Sequence, residues 1–100
     1  MRVVAITACP TGIAHTYMAA DALIKEAPKL GVTIKVETQG AMGIENQLSS
    51  RDIAQADIIL IVSDIKIAKF DRFTGRRTIH IPIEDVLLNV KKVLLAYCRN

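Results

Sequence analysis

The sequence predicts an α/β fold: a small, open, mainly parallel sheet of four strands with helices on both faces. Three observations predict it. Strand-like and helix-like segments alternate along all 100 residues. The composition is 51% hydrophobic but only 4% aromatic, which suits aliphatic strands buried under helices. The run Ile58-Ile59-Leu60-Ile61-Val62 is continuous and largely β-branched, as a strand covered on both faces should be.

The first strand is read at 2–8, where Val3-Val4-Ala5-Ile6-Thr7-Ala8 leads into Cys9. A helix is expected from 14–15 to 27, with Ala14, Met18, Ala22, Leu23 and Ala27 as its apolar face, and Pro28 and Gly31 punctuate its end. The second strand, 32–38, alternates strictly, with Val32, Ile34 and Val36 on one face, which places it nearer a sheet edge. A glycine-containing loop, 39–43, follows. Ser49 and Asp52 stand at capping-box spacing and open a short helix over 50–56. The third strand is the central 58–62 run, ended by Ser63-Asp64.

Residues 65–77 carry no clean period; they read as a helical turn within 67–73 and a turn at Thr74-Gly75. A short fourth strand spans 78–81. The last helix is the clearest element. Ile83, Val86, Leu87, Val90, Val93, Leu94 and Tyr97 form its apolar stripe, Pro82 suits its first position, and Glu84 and Asp85 precede Lys91 and Lys92 as the helix dipole favours. With right-handed crossovers this order gives a Rossmann-like three-layer sandwich, expected to be one domain over 1–100.

The formal net charge is +3, and the Lys and Arg residues are spread out without interleaved aromatics, so no nucleic-acid partner is expected. No apolar run approaches the roughly 18–20 residues that span a bilayer. The segment 3–8 is too short for a signal sequence, so a cytoplasmic location without membrane insertion is expected. Cys9 and Cys98 lack C-x-x-C spacing, and His15 and His80 lack partners at any metal-ligand spacing. Two thiols, no metal and no cofactor are therefore expected.

Chemistry concentrates at the end of the first strand. Cys9 opens the loop Pro10, Thr11, Gly12, Ile13, Ala14, His15, Thr16, and a helix begins within it. A cysteine among unpaired backbone N–H groups, at the positive end of a helix dipole, favours the thiolate. The same groups suit a tetrahedral dianion. Pro10 has no N–H, so donors should begin at Thr11 or Gly12; Gly12 permits close approach, and the Thr11 and Thr16 hydroxyls are further donors. Ligands of open parallel sheets bind at the C-terminal strand edge. Gln39, Gly40 and Asp64 fall on that edge with Cys9 and form its expected rim. His15 reads either as a phosphate donor or as a residue of the first helical turn. The basic run Lys66, Lys69, Arg72, Arg76 and Arg77 reads either as a docking surface for an acidic partner or as a solvated flank.

Other phosphate chemistries lack their residues. There is no G-x-G-x-x-G, no Gly-Lys-Ser/Thr and no acidic pair at the end of the first strand. A low-molecular-weight cysteine phosphatase or arsenate reductase needs an arginine six residues after its cysteine, where this chain has His15. That enzyme class, and a docking-only regulatory module, stand as the alternatives to phosphoryl transfer through sulfur.

The string Thr7-Ala8-Cys9-Pro10-Thr11-Gly12-Ile13-Ala14-His15-Thr16 resembles the phosphorylation loop of fructose-type enzyme IIB domains of the bacterial phosphoenolpyruvate-dependent sugar phosphotransferase system. So do Val36-Glu37-Thr38-Gln39-Gly40 with Gly43, the approach 53–57, and Asp71-Arg72-Phe73 with Gly75. The resemblance implies a phosphocarrier. Cys9 would take a phosphoryl group from a phosphohistidine of enzyme IIA and pass it, without a metal, to a sugar held by membrane-embedded enzyme IIC. Sugar choice is then expected to lie with enzyme IIC. Fructose, mannose and related hexoses all fit, as does a free protein or one domain of a longer permease.

Overall fold

The computed structural model describes residues 1–10 and 14–98. In chain order it places β1 (Arg2–Ala8), α1 (Ala14–Glu26), β2 (Thr33–Gly40), β3 (Gly43–Glu45), α2 (Ser50–Gln55), β4 (Ile58–Ser63), β5 (Thr78–Ile81) and α3 (Ile83–Tyr97). Single 3₁₀ turns occupy Ala27–Leu30 and Phe70–Phe73. The sheet order is β3-β2-β1-β4-β5, and every pairing is parallel except β2 with β3. The open, mainly parallel α/β sheet is thus present, with one strand more than the four expected. The addition arises because the 39–43 segment is a tight hairpin: Gly40 pairs with Gly43, whose φ of +87° suits a residue without a Cβ.

Side-chain alternation divides the core into two layers. Val3, Ala5, Val36, Leu60 and Val62 face α1 and α3. Val4, Ile6, Ile59 and Ile61 face the other way, onto Ile53 of α2 and onto Leu48, Ile67 and Phe73. β1 and β4 are buried on both faces because each lies between two other strands and under both layers.

The first helix keeps Leu23 and Ala27 of its expected face inward and departs from it at Ala14 and Met18. Thr16, Ala19, Ala20, Leu23 and Ala27 are buried, while Ala14 is exposed and Met18 is 56% exposed. The alanine-rich sequence fits the helical period in more than one phase. Close approach to the sheet selects the phase that puts small residues inward and turns Thr16 toward Cys9. The last helix keeps its buried stripe at Ile83, Val86, Val93 and Leu94, but Tyr97 is 43% exposed. Pro82 is the residue before its first turn rather than within it. The helix is interrupted at Asn89, whose Oδ1 accepts from the Lys92 N–H at 3.1 Å and caps the second half.

The capping box is formed. Ser49 Oγ accepts from the Asp52 N–H at 3.0 Å, and Asp52 Oδ2 accepts from the Ser49 N–H at 2.8 Å. Lys35 Nζ donates to the same Asp52 oxygen, and these contacts, Lys35 first, hold the Asp52 carboxyl down at about 2. Ser49→Ala removes the cap oxygen. It should destabilise the protein by about 1 kcal/mol, read as a fall in Tm of roughly 4–8 °C.

Candidate functional site

The sheet order reverses between β1 and β4: the chain leaves β1 for β2 and β3 on one side and returns to β4 and β5 on the other. Open parallel sheets form their ligand crevice at such a point, beyond the C-terminal strand ends. Ala8 is in register with Gln39 of β2 and with Ser63 of β4, so Cys9 emerges from the middle of that edge. Cys9 is 4% exposed and packs in the α1 layer. The fully buried Thr16 points its hydroxyl at the sulfur, with Oγ1 donating to Sγ at 3.1 Å. This contact explains why a threonine occupies the inward face of α1.

Of the other expected loop residues, Pro10, Ala14 and His15 are exposed at the same edge. Thr11, Gly12 and Ile13 lie outside the described residues. The rim residues have defined local duties. Gln39 acts as an internal strand mimic: its Nε2 donates to the Ala68 carbonyl at 3.1 Å and its Oε1 accepts from the Ala68 N–H at 2.8 Å. Gly40 closes the β2–β3 hairpin. Asp64 Oδ1 accepts from the Ile83 N–H at 3.3 Å and so serves the start of α3. Among the described residues, no group of three His, Cys, Asp or Glu side chains is placed to hold a metal ion.

A charged pair lies beneath this edge on the α2 side. Glu37 is 0% exposed and takes both terminal nitrogens of Arg72: Nη1 to Oε1 at 2.7 Å and Nη2 to Oε2 at 2.5 Å. Gln39 Nε2 and the Leu48 N–H also donate to it, at 2.8 and 3.0 Å. Burial alone would raise the Glu37 pKa; Arg72, Gln39 and Leu48 together outweigh it and hold the carboxyl below its ordinary value. Arg72 Nε further donates to the Lys69 carbonyl at 3.0 Å, and its guanidinium lies 4.8 Å from the centre of the Phe73 ring. Segment 65–77 is thereby fastened to β2.

The pair divides the basic run. Arg72 is consumed internally and Arg76 donates to the Ala56 carbonyl, whereas Lys66, Lys69 and Arg77 are exposed. Sequence reasoning missed the pairing. The only signal was an acidic residue on the polar face of an otherwise regular strand, and its partner lies 35 residues away. Neither cysteine is in a disulfide. Cys98 is buried at the end of α3, and burial pushes its thiol up to about 11.

Comparison with known proteins places this geometry among relatives. Residues 4–96 match the family described as PTS system, Lactose/Cellobiose specific IIB subunit. The chain is 42% identical over 93 residues to the PTS system fructose-like EIIB component 2 of Escherichia coli K12, covering 93% of this chain and 88% of that one. It is 49% identical over 82 residues to the PTS system fructose-specific EIIABC component of Bacillus subtilis, covering 82% of this chain but 13% of that protein. A solved domain of fruA from Bacillus subtilis superposes with a TM-score of 0.85 at 39% identity, over 95% of this chain and 90% of the domain. The crystal structure of a predicted fructose-specific IIB from Escherichia coli gives 0.87 at 41% identity, over 95% and 84%.

Proposed function

The chain belongs to the IIB family of the sugar phosphotransferase system, and on that premise we propose that Cys9 is the residue that carries the phosphoryl group. The observation that carries this reading is the position of the thiol. It stands at the sheet's reversal point, at the C-terminal end of a strand buried on both faces, with a threonine hydroxyl donated to its sulfur.

In the first step the Cys9 sulfur attacks the phosphorus of a phosphohistidine on enzyme IIA. The S–P bond forms, the N–P bond breaks, and the proton that the thiol gives up goes to the leaving imidazole, so the histidine departs neutral. In the second step a hydroxyl oxygen of the sugar held by enzyme IIC attacks the same phosphorus. The S–P bond breaks, the thiolate returns, and the hydroxyl proton is released. Phosphoryl transfer passes through a loose transition state, so the protein acts mainly by positioning and by stabilising charge. Loop N–H groups at residues 11–16 would serve the phosphoryl oxygens, and Thr16 the sulfur. The sulfur needs a donor most when it departs as a thiolate, which is the onward step.

The sugar is fructose or a related hexose, in keeping with the fructose-type names of the relatives. Lys66, Lys69 and Arg77, exposed and free of the internal pairing that absorbs Arg72, suit an acidic docking surface on a partner. The phosphatase alternative has less support. The sequence from Cys9 to Thr16 contains no arginine, and Arg72 is committed to Glu37.

The test is an intact mass after incubation with phosphoenolpyruvate, the general phosphotransferase proteins and a fructose-type enzyme IIA. One phosphate adduct is expected. No adduct from a donor that phosphorylates a control IIB domain would sink the proposal.

A further inference from the structure

Three side-chain oxygens among the described residues are buried without a hydrogen-bond partner: Thr7 Oγ1, Thr38 Oγ1 and Tyr17 Oη. Strand register and helix geometry bring them toward one corner. Thr7 and Thr38 are register partners on β1 and β2. They follow the pair Ala5–Val36, which lies in the layer under α1, so by strand alternation both hydroxyls are on that face. Cys9 is the next residue of the same face along β1.

Helical spacing puts Tyr17 over this corner. Ile24 and Ile34 line one groove, so this side of α1 lies along β2. Tyr17 is on the same side as Ile24, two helical turns nearer the start of α1, or about 10 Å. The helix returns antiparallel to β2. Two turns therefore carry the ring from the Ile34 end of the strand toward Thr38, about 13 Å away along β2. Its neighbour Thr16 is the residue bonded to the Cys9 sulfur.

Buried hydroxyls without partners are costly, and a buried water characteristically satisfies about three such groups. We propose that Thr7, Thr38 and Tyr17 hold one internal water behind the Cys9 loop, and that this water donates to Thr16 Oγ1 and so fixes the Thr16 hydroxyl proton on the sulfur. The water's four bonds are then filled: two of the three hydroxyls donate to it, and its own two hydrogens go to the third hydroxyl and to Thr16, while the third hydroxyl's hydrogen turns to the oxygen of a neighbouring hydroxyl. Thr7, Thr38 and Tyr17 are thus positioning residues, acting on Cys9 through Thr16. Their role in transfer rests on the reading of Cys9 as phosphoryl carrier; their effect on the thiol does not.

The experiment compares Thr38→Val, Thr38→Ser and Tyr17→Phe with the unmodified protein. It reads the Tm and the rate at which iodoacetamide alkylates Cys9 at pH 7, with no phosphoryl donor present. Valine has nearly the shape of threonine. If the hydroxyl were an unsatisfied group, valine would fit better and raise the Tm. If the hydroxyl holds water, Thr38→Val lowers the Tm and slows Cys9 alkylation by about 3–10-fold, Tyr17→Phe slows it similarly, and Thr38→Ser keeps the original rate. A raised Tm in Thr38→Val, or alkylation unchanged in both hydroxyl-less variants, overturns the proposal. Slowed alkylation in a protein that never takes up phosphate would leave the water in place and remove only the carrier reading.

Discussion

Arg72→Ala should lose about 3–5 kcal/mol of stability at pH 7. That is a large fraction of the 5–15 kcal/mol that a domain typically has. The loss comes less from the missing attraction than from what stays behind: the Glu37 carboxylate at 0% exposure, with two of its donors gone. The pH dependence carries the diagnostic sign. In the unmodified protein the Glu37 pKa is depressed below its ordinary 4.5. Its contribution is therefore full above that value and is lost as pH falls through the folded-state pKa.

In Arg72→Ala the largest influence left on Glu37 is burial, which is expected to raise its pKa against the remaining Gln39 and Leu48 donors. The variant should then gain stability between pH 7 and pH 5, where the parent changes little on account of this group. Urea midpoints at the two pH values measure it. A variant equally destabilised at both would show that Glu37 is not confined as described.

The second large effect is all-or-none. Cys9→Ser should take up no phosphate in the transfer assay, and Cys98→Ser should take up as much as the parent. The two thiols differ physically. Burial pushes the Cys98 thiol up to about 11, so at pH 7 it stays a thiol. It lies at a helix C-terminus, whose dipole opposes a thiolate. Cys9 follows a buried strand and accepts a hydroxyl hydrogen bond. Iodoacetamide at neutral pH should accordingly mark Cys9 and spare Cys98, as peptide masses will show. A phosphate that survives in Cys9→Ser would move the carrier role to another residue.

What the sequence revealed followed the range of the interactions. β1, β4, the Ser49 capping box and most of the α3 stripe are written in neighbouring residues, and each stands where periodicity or spacing put it. β3 is Gly43-Ile44-Glu45, too short to show any alternation, and exists because a tight turn returns it to β2. The buried face of α1 was read correctly at Leu23 but misplaced in its first turns, because Thr16, Ala19 and Ala20 are inward there by close packing, not by hydrophobicity. Segment 65–77 has no period because its conformation is imposed by Glu37 and Gln39, distant in sequence. At the candidate site, Thr16 was read as a donor toward a phosphate, whereas its hydroxyl lies on the Cys9 sulfur. The joining of Thr7 to Thr38 was not legible, because it needs the register of two strands.

The central place of β1 also governs when the molecule can form. Val3 is in register with Ile34 on one side and with Ile58 on the other, so β1 leaves the ribosome before both of its partners and waits for strands made later. Before β4 emerges, one edge of β1 is open and its apolar residues have no sheet beside them. Non-local parallel pairing of this kind slows folding, because loop closure precedes its reward. The nascent chain therefore passes through an aggregation-prone interval that closes only once β4, β5 and the covering α3 are released. A ribosome stalled with residues beyond Ser63 still in the exit tunnel should present a chain that proteases cut freely. One stalled with α3 fully outside should present a resistant core.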